Sequence, residues 1–123
     1  MSPVAFRRGL TGVIAGSLLS LTATAAAAHA HLTASSPAAD AAVAAPRALT
    51  LTFSEPLEPK FSGVALTAPG GGEIGLTVTV SGDRKTLLAT PAKPLAPGAY
   101  KAKWHAVAKD GHRMEGGYGF TVR

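Results

Sequence analysis

The sequence contains no cysteine among its 123 residues. A disulfide framework, a thiolate metal site and a cysteine nucleophile are therefore all excluded. Methionine occurs at only two positions, the initiator and Met114. A methionine-rich site for a soft metal ion, which would need several thioether ligands, is excluded as well.

Aromatic and charged residues are also few. Aromatic side chains make up 6% of the chain and charged side chains 15%, whereas 46% of the residues are hydrophobic. This composition is too apolar for a disordered chain and predicts a core built mostly from valine, leucine and alanine. The formal net charge is +5, of which Arg7 and Arg8 supply two. The other basic residues are scattered without interleaved aromatics, so we expect no nucleic-acid partner.

Residues 1–28 have the pattern of a secretory signal peptide. Arg7 and Arg8 precede an uncharged apolar stretch, Gly9 to Leu21, and an alanine-rich run follows it. The alternative is a membrane anchor, but the apolar stretch is short for one. We therefore predict an exported protein that is periplasmic or otherwise extracytoplasmic.

Two cleavage sites satisfy the preference of signal peptidase for small residues. Cleavage after Ala28 leaves His29 as the first residue, and cleavage after Ala30 leaves His31. Either site gives a mature chain that begins with histidine, although the whole sequence contains only four histidines.

Beyond residue 28 the apolar residues alternate with polar ones, as in half-buried strands. Turn signals such as Pro97-Gly98 separate the runs, and no convincing helix lies between them. The spacing predicts a single antiparallel all-β domain over residues 29–123, a sandwich or a barrel. Because the chain ends on a strand, we expect no transmembrane segment after signal removal. The predicted strands are 49–53, 64–67, 76–80, 86–90, 100–106 and 118–122.

An N-terminal histidine offers two nitrogen donors from one residue. Its α-amine and the imidazole Nδ1 can chelate one ion, and the amine, with a pKa of about 7.7 to 8.0, loses its proton to a metal near neutral pH. One more imidazole completes three nitrogens in a T shape. Nitrogen and oxygen donors in a tetragonal arrangement suit Cu(II).

Asp110-Gly111-His112 is the candidate for the rest of the site. In an extended segment residues i and i+2 point the same way, so Asp110 and His112 could face one ion while Gly111 lets the backbone bend. The aspartate could ligate the ion or orient a ligand or water. Taken alone, Asp-Gly-His is a common turn sequence, and its interpretation as a metal site depends on the N-terminal histidine.

Four other residues lie in or near these motifs. His31 is a possible additional ligand or a surface residue. His105 shares a strand face with two lysines, which favours a surface or packing role. Trp104 is expected in the core, with a position beneath the metal as an alternative, and Glu115 is expected to be a turn residue.

The motifs resemble, in order, those of the CopC family of periplasmic copper-resistance proteins. The resemblance covers nearly the whole mature chain. It rests on the segments His29-Ala-His-Leu32, Ser36-Pro-Ala38, Leu51-Thr-Phe-Ser-Glu-Pro56, Pro97-Gly-Ala-Tyr100, Trp104, Asp110-Gly-His112 and Gly117-Tyr-Gly-Phe120.

The resemblance implies a Greek-key β-sandwich or barrel related to cupredoxins. It also implies one Cu(II) bound by the amine and imidazole of His29, the imidazole of His112 and the carboxylate of Asp110, and it favours cleavage before His29. The methionine-rich Cu(I) loop of many members is absent, which implies a Cu(II)-only protein. An inner-membrane copper transporter is a possible partner.

Three functions are compatible with these features. The first is a non-enzymatic copper carrier or buffer for homeostasis or resistance. The second is a copper-dependent oxidative enzyme, because the N-terminal histidine also resembles the copper brace of lytic polysaccharide monooxygenases. The mature chain is short for that role and lacks an obvious aromatic platform. The third is an export or adhesion module with a vestigial site.

Overall fold

The computed structural model describes residues 29–123 and contains two β-sheets and no α-helix in that range. The predicted signal peptide, residues 1–28, lies outside the described residues. No segment of the described chain forms a helix long and apolar enough to cross a membrane. The expected all-β sandwich is confirmed.

The first sheet has four antiparallel strands. Its central strands carry the alternation seen in the sequence, and Thr50 and Thr52 separate the buried side chains of the strand over residues 49–53. In spatial order the strands are β1 (Leu32–Ser36), β3 (Leu49–Phe53), β7 (Thr86–Pro91) and β6 (Leu76–Val80).

The second sheet has five strands, dominated by a long hairpin. Its order is β2 (Ala42–Val43), β9 (Arg113–Val122), β8 (Gly98–Val107), β4 (Gly63–Thr67) and β5 (Glu73–Ile74). All pairs are antiparallel except β2 with β9, which is parallel. A short 3₁₀ turn, Pro59–Phe61, precedes β4.

The core lies between the two sheets. β3 contributes Leu49, Leu51 and Phe53, and β8 contributes Tyr100 from the facing sheet, all of them buried. Trp104 is partly buried and meets Phe53 edge-on, with ring centroids 5.1 Å apart. This packing confirms the expected core position of Trp104.

The predicted strand bounds hold for β3 and β6 and fall short elsewhere. β3 and β6 have the predicted bounds, whereas β9 begins at Arg113, five residues before the predicted start. The sequence does not indicate this extension, because Gly116 and Gly117 have a low preference for strands. Pairing with β8 overrides that low preference in the folded protein. The sequence does not predict the edge strands β1, β2 and β5, since they are short or lack apolar alternation.

Candidate metal centre

Asp110 and His112 lie in the loop that joins β8 to β9. The Gly111 N–H donates to the Ala108 carbonyl at 3.0 Å, which closes a tight turn. Gly111 has φ +78°, a conformation that glycine adopts at little steric cost. The His112 N–H donates to Asp110 Oδ1 at 3.0 Å. The expectation of an extended segment here is wrong: the aspartate side chain bonds its own backbone two residues on, and this turn brings the two side chains together.

His29 approaches Asp110 and His112 from the four-stranded sheet, through the segment that leads into β1. Ala30 is fully buried. The Ser54 N–H donates to the His31 carbonyl at 2.8 Å, and the His31 N–H donates to Ser54 Oγ at 2.9 Å. The start of β1 is therefore fixed against the end of β3.

The three side chains meet around one carboxylate oxygen. Asp110 Oδ2 lies 3.2 Å from His29 Nδ1 and 3.1 Å from His112 Nδ1. The two imidazole ring centroids are 4.8 Å apart. One potential ligand atom from each residue falls within 4.8 Å of the other two. Since metal–nitrogen bonds are about 2 Å long, donors around one ion lie at most about 4 Å apart, so a small contraction suffices.

Charge and hydrogen bonding favour an ionised Asp110. The N–H of His112 bonds the carboxylate and holds the pKa of Asp110 below its usual value, against the opposing effect of desolvation. The imidazoles of His112 and His29 add smaller contributions that also lower this pKa. An ionised carboxylate is the form that binds a cation.

His29 Nδ1 is buried and lies 3.2 Å from Asp110 Oδ2, but it forms no hydrogen bond within residues 29–123. A buried polar atom without a hydrogen bond is costly. A metal ion at this point would satisfy it, so the donor set fits a nitrogen- and oxygen-ligated cation.

The cluster is open to solvent on one side. The His112 side chain is 68% exposed, compared with 35% for His29 and 20% for Asp110. An ion held here could therefore be reached by a second molecule without unfolding of the sandwich.

The structure does not bring the other candidate residues into this group. His31 is exposed and is not among the three clustered residues. Glu115 lies within β9 and not in the expected turn, and it accepts a hydrogen bond from Arg113 Nε at 2.7 Å. His105 lies against Gly63 of the neighbouring strand, where burial lowers its pKa. Met114 sits opposite Ala106 in the hairpin.

Ser54 is the residue that sequence reasoning missed. In the sequence Ser54 stands within the Leu51–Pro56 segment of the family resemblance, and no role is assigned to it there. A serine directly after a strand can bond neighbouring backbone groups, and that signal could have drawn attention to it.

Comparison with known proteins supports one family. The CopC domain model matches residues 32–123. Copper resistance protein C of Escherichia coli is 39% identical over an alignment of 119 residues, and the match covers 90% of this chain and 94% of the relative. Copper resistance protein C of Pseudomonas syringae pv. tomato is 41% identical over 116 residues, with 89% and 90% covered.

Solved structures agree with the sequence comparison. The crystal structure of PcoC, a methionine-rich copper resistance protein from Escherichia coli, superposes with a TM-score of 0.71 at 40% identity, covering 77% of this chain and 99% of PcoC. CopC from Methylosinus trichosporium OB3b gives a TM-score of 0.69 at 34% identity, covering 76% and 93%. The chain belongs to the CopC family.

Proposed function

We propose that the mature protein, beginning at His29, binds one Cu(II) ion per chain and acts as a copper carrier or buffer outside the cytoplasm. The observation that carries this proposal is the convergence of His29, Asp110 and His112, whose donor atoms lie within 4.8 Å of one another. Relatives named copper resistance protein C support copper as the metal.

The donor chemistry favours Cu(II) among the common divalent ions. Two imidazoles and one carboxylate are borderline and hard ligands, and divalent copper binds such sites more tightly than other first-row ions do. Cleavage before His29 would add a primary amine next to the imidazole. The amine and imidazole of that residue would then form one chelate ring.

The sulfur content argues against a second site for reduced copper. The sequence has no cysteine, and Met114 is its one methionine apart from the initiator. The ion would therefore be held in one oxidation state, as suits buffering or transport. Nothing in this role requires turnover, so we do not propose an enzyme.

Exposure of His112 supports exchange of the ion with other molecules. A carrier needs a donor or acceptor that can approach its cargo, and the 68% exposed imidazole forms the accessible side of the site. We propose an inner-membrane copper transporter as such a partner. The signal-peptide pattern of residues 1–28 supports the periplasm or an equivalent compartment as the proposed location of the exchange.

A competitive Cu(II) titration with EPR tests the proposal. The two samples are residues 29–123 and the same chain with one additional N-terminal alanine, which converts the α-amine of His29 into a peptide nitrogen. We expect one-to-one binding by the first and affinity lower by more than about tenfold in the second. Equal binding by both would remove the amine from the site and contradict the proposal.

Thermal unfolding gives a second test. One equivalent of Cu(II) should raise the melting temperature of residues 29–123, since binding to the folded chain alone stabilises it by mass action. Acid should reverse the rise, because amine and imidazole ligands then take up protons. An unchanged melting temperature would contradict a preformed site.

A further inference from the structure

We infer that Ser54 is a positioning residue, which holds the mature N-terminus in the geometry that binds copper. The inference rests on the proposed function and deepens it. It concerns a side chain that is not part of the clustered donor set of His29, Asp110 and His112.

Ser54 makes three hydrogen bonds to two residues at the start of the mature chain, His31 and His29. Its N–H donates to the His31 carbonyl at 2.8 Å. Its hydroxyl oxygen accepts from the His31 N–H at 2.9 Å and donates to the His29 carbonyl at 3.4 Å. Two of these three bonds depend on the side chain of Ser54.

The Ser54 hydroxyl forms its hydrogen bonds just beyond the point where regular pairing of β1 with β3 ends. The β1–β3 ladder ends with Leu32 opposite Phe53, and the register shifts between Leu32 and Ala34. After Phe53 the chain bends. The His31 N–H therefore finds a side-chain acceptor instead of a strand carbonyl, and the hydroxyl extends the pairing by one more step toward the terminus.

Such an extension matters because chain termini lose order unless they are tied down. Ala30 is buried, but its methyl group alone cannot fix the rotation of the terminal peptide. The bond from Ser54 to the His29 carbonyl restrains the peptide unit that adjoins the α-carbon of His29. That α-carbon carries both the amine and the imidazole of the proposed chelate.

Two variants of Ser54 separate positioning from general packing. Ser54→Ala removes the hydroxyl, and Ser54→Thr keeps it. Thr33→Val is a matched control, since Thr33 Oγ1 donates to the Thr52 carbonyl at 3.1 Å between the same two strands but does not bond residues 29–31. All variants are made in the mature chain of residues 29–123.

The first readout needs no copper. Hydrogen exchange followed by NMR reports protection of the His31 amide, which depends on the Ser54 hydroxyl. We expect faster exchange of this amide in Ser54→Ala and unchanged exchange in Ser54→Thr and Thr33→Val. Unchanged protection in Ser54→Ala would overturn the inference.

The second readout is Cu(II) affinity and the EPR spectrum. Loss of the two side-chain bonds should raise the dissociation constant of Ser54→Ala by about 3- to 30-fold, as expected for hydrogen bonds of ordinary strength. Its spectrum should contain a second species that lacks the amine ligand. Ser54→Thr should behave as the wild-type protein.

The outcomes distinguish this inference from the proposed function. Wild-type-like affinity and spectrum in Ser54→Ala would overturn the inference alone, provided that the additional N-terminal alanine still lowers the Cu(II) affinity by more than about tenfold. An equal loss in Ser54→Ala and Thr33→Val would also overturn it, because that result indicates general loosening of the two strands. Equal binding with and without the additional alanine would overturn the proposed function and this inference together.

Discussion

Gly116→Ala should destabilise the protein through a clash between β9 and β8. Gly116 lies opposite Trp104 in the hairpin. A Cβ atom on Gly116 would be 2.5 Å from Trp104 Cζ2 and 2.7 Å from Cε2, well inside van der Waals contact. The indole ring cannot move away freely, because Phe53 packs against it at 5.1 Å between centroids.

Two opposing effects determine how much stability Gly116→Ala loses. Forcing an additional methyl group into a packed site costs about 1–3 kcal/mol. Replacing a strand glycine by alanine recovers about 0.5–1 kcal/mol of backbone entropy. We therefore expect Gly116→Ala to lower the free energy of unfolding by about 1–2 kcal/mol. For a domain of this size each kcal/mol corresponds to about 4–8 °C in melting temperature.

Urea unfolding followed by circular dichroism measures the loss, with Gly119→Ala as the control on the same strand. A Cβ on Gly119 would meet only the Tyr100 carbonyl at 3.4 Å, which is tolerable. The cost of alanine at position 116 should shrink in a Trp104→Phe background, since the smaller ring lacks the clashing atoms. Equal stability of the two glycine variants, or the same cost with Phe at position 104, would refute the reasoning.

Three further changes test the site and the scaffold. Asp110→Asn keeps an oxygen that can accept a hydrogen bond from the His112 N–H but removes the negative charge. We therefore expect the fold to persist and the Cu(II) affinity, measured by titration, to fall about tenfold or more. Unchanged affinity would contradict a role for the carboxylate in binding the ion. Burial lowers the pKa of His105, so the unfolded chain binds more protons at this residue, and the free energy of unfolding falls as the pH drops through the ordinary range of histidine. His105→Gln should reduce this fall when the free energy of unfolding is measured between about pH 8 and pH 5. The same pH dependence in the variant and the wild-type protein would refute this role of His105. Tyr100→Phe removes the hydroxyl that donates to the Ala96 carbonyl at 2.6 Å and should cost about 0.5–1.5 kcal/mol by urea unfolding; a variant of wild-type stability would show that this bond contributes nothing.

The sequence predicts the strands that face the core on one side only. In β3 the buried Leu49, Leu51 and Phe53 alternate with threonines, and the period of two is unmistakable. The edge strand β1 offers no such pattern, because its five residues, Leu-Thr-Ala-Ser-Ser, are mostly polar or small. It is defined by pairing with β3, which no local signal encodes.

The site is predictable in composition but not in geometry. An N-terminal histidine and an aspartate two residues before another histidine suggest the ligand types. Their convergence depends on tertiary structure, since 81 positions separate His29 from Asp110. The turn at Gly111 and the contacts of Ser54 also depend on how the chain folds locally around the strand ends.

The candidate site joins the two sheets of the sandwich. His29 precedes β1 of the four-stranded sheet, whereas Asp110 and His112 lie between β8 and β9 of the five-stranded sheet. An ion bound by all three would link the layers at the edge where the ladder of β1 ends. Binding should therefore slow hydrogen exchange both at the start of β1 and in the β8–β9 loop, since local opening of either segment would break bonds to the ion. Slowing confined to the loop would indicate an ion held by Asp110 and His112 without the N-terminus.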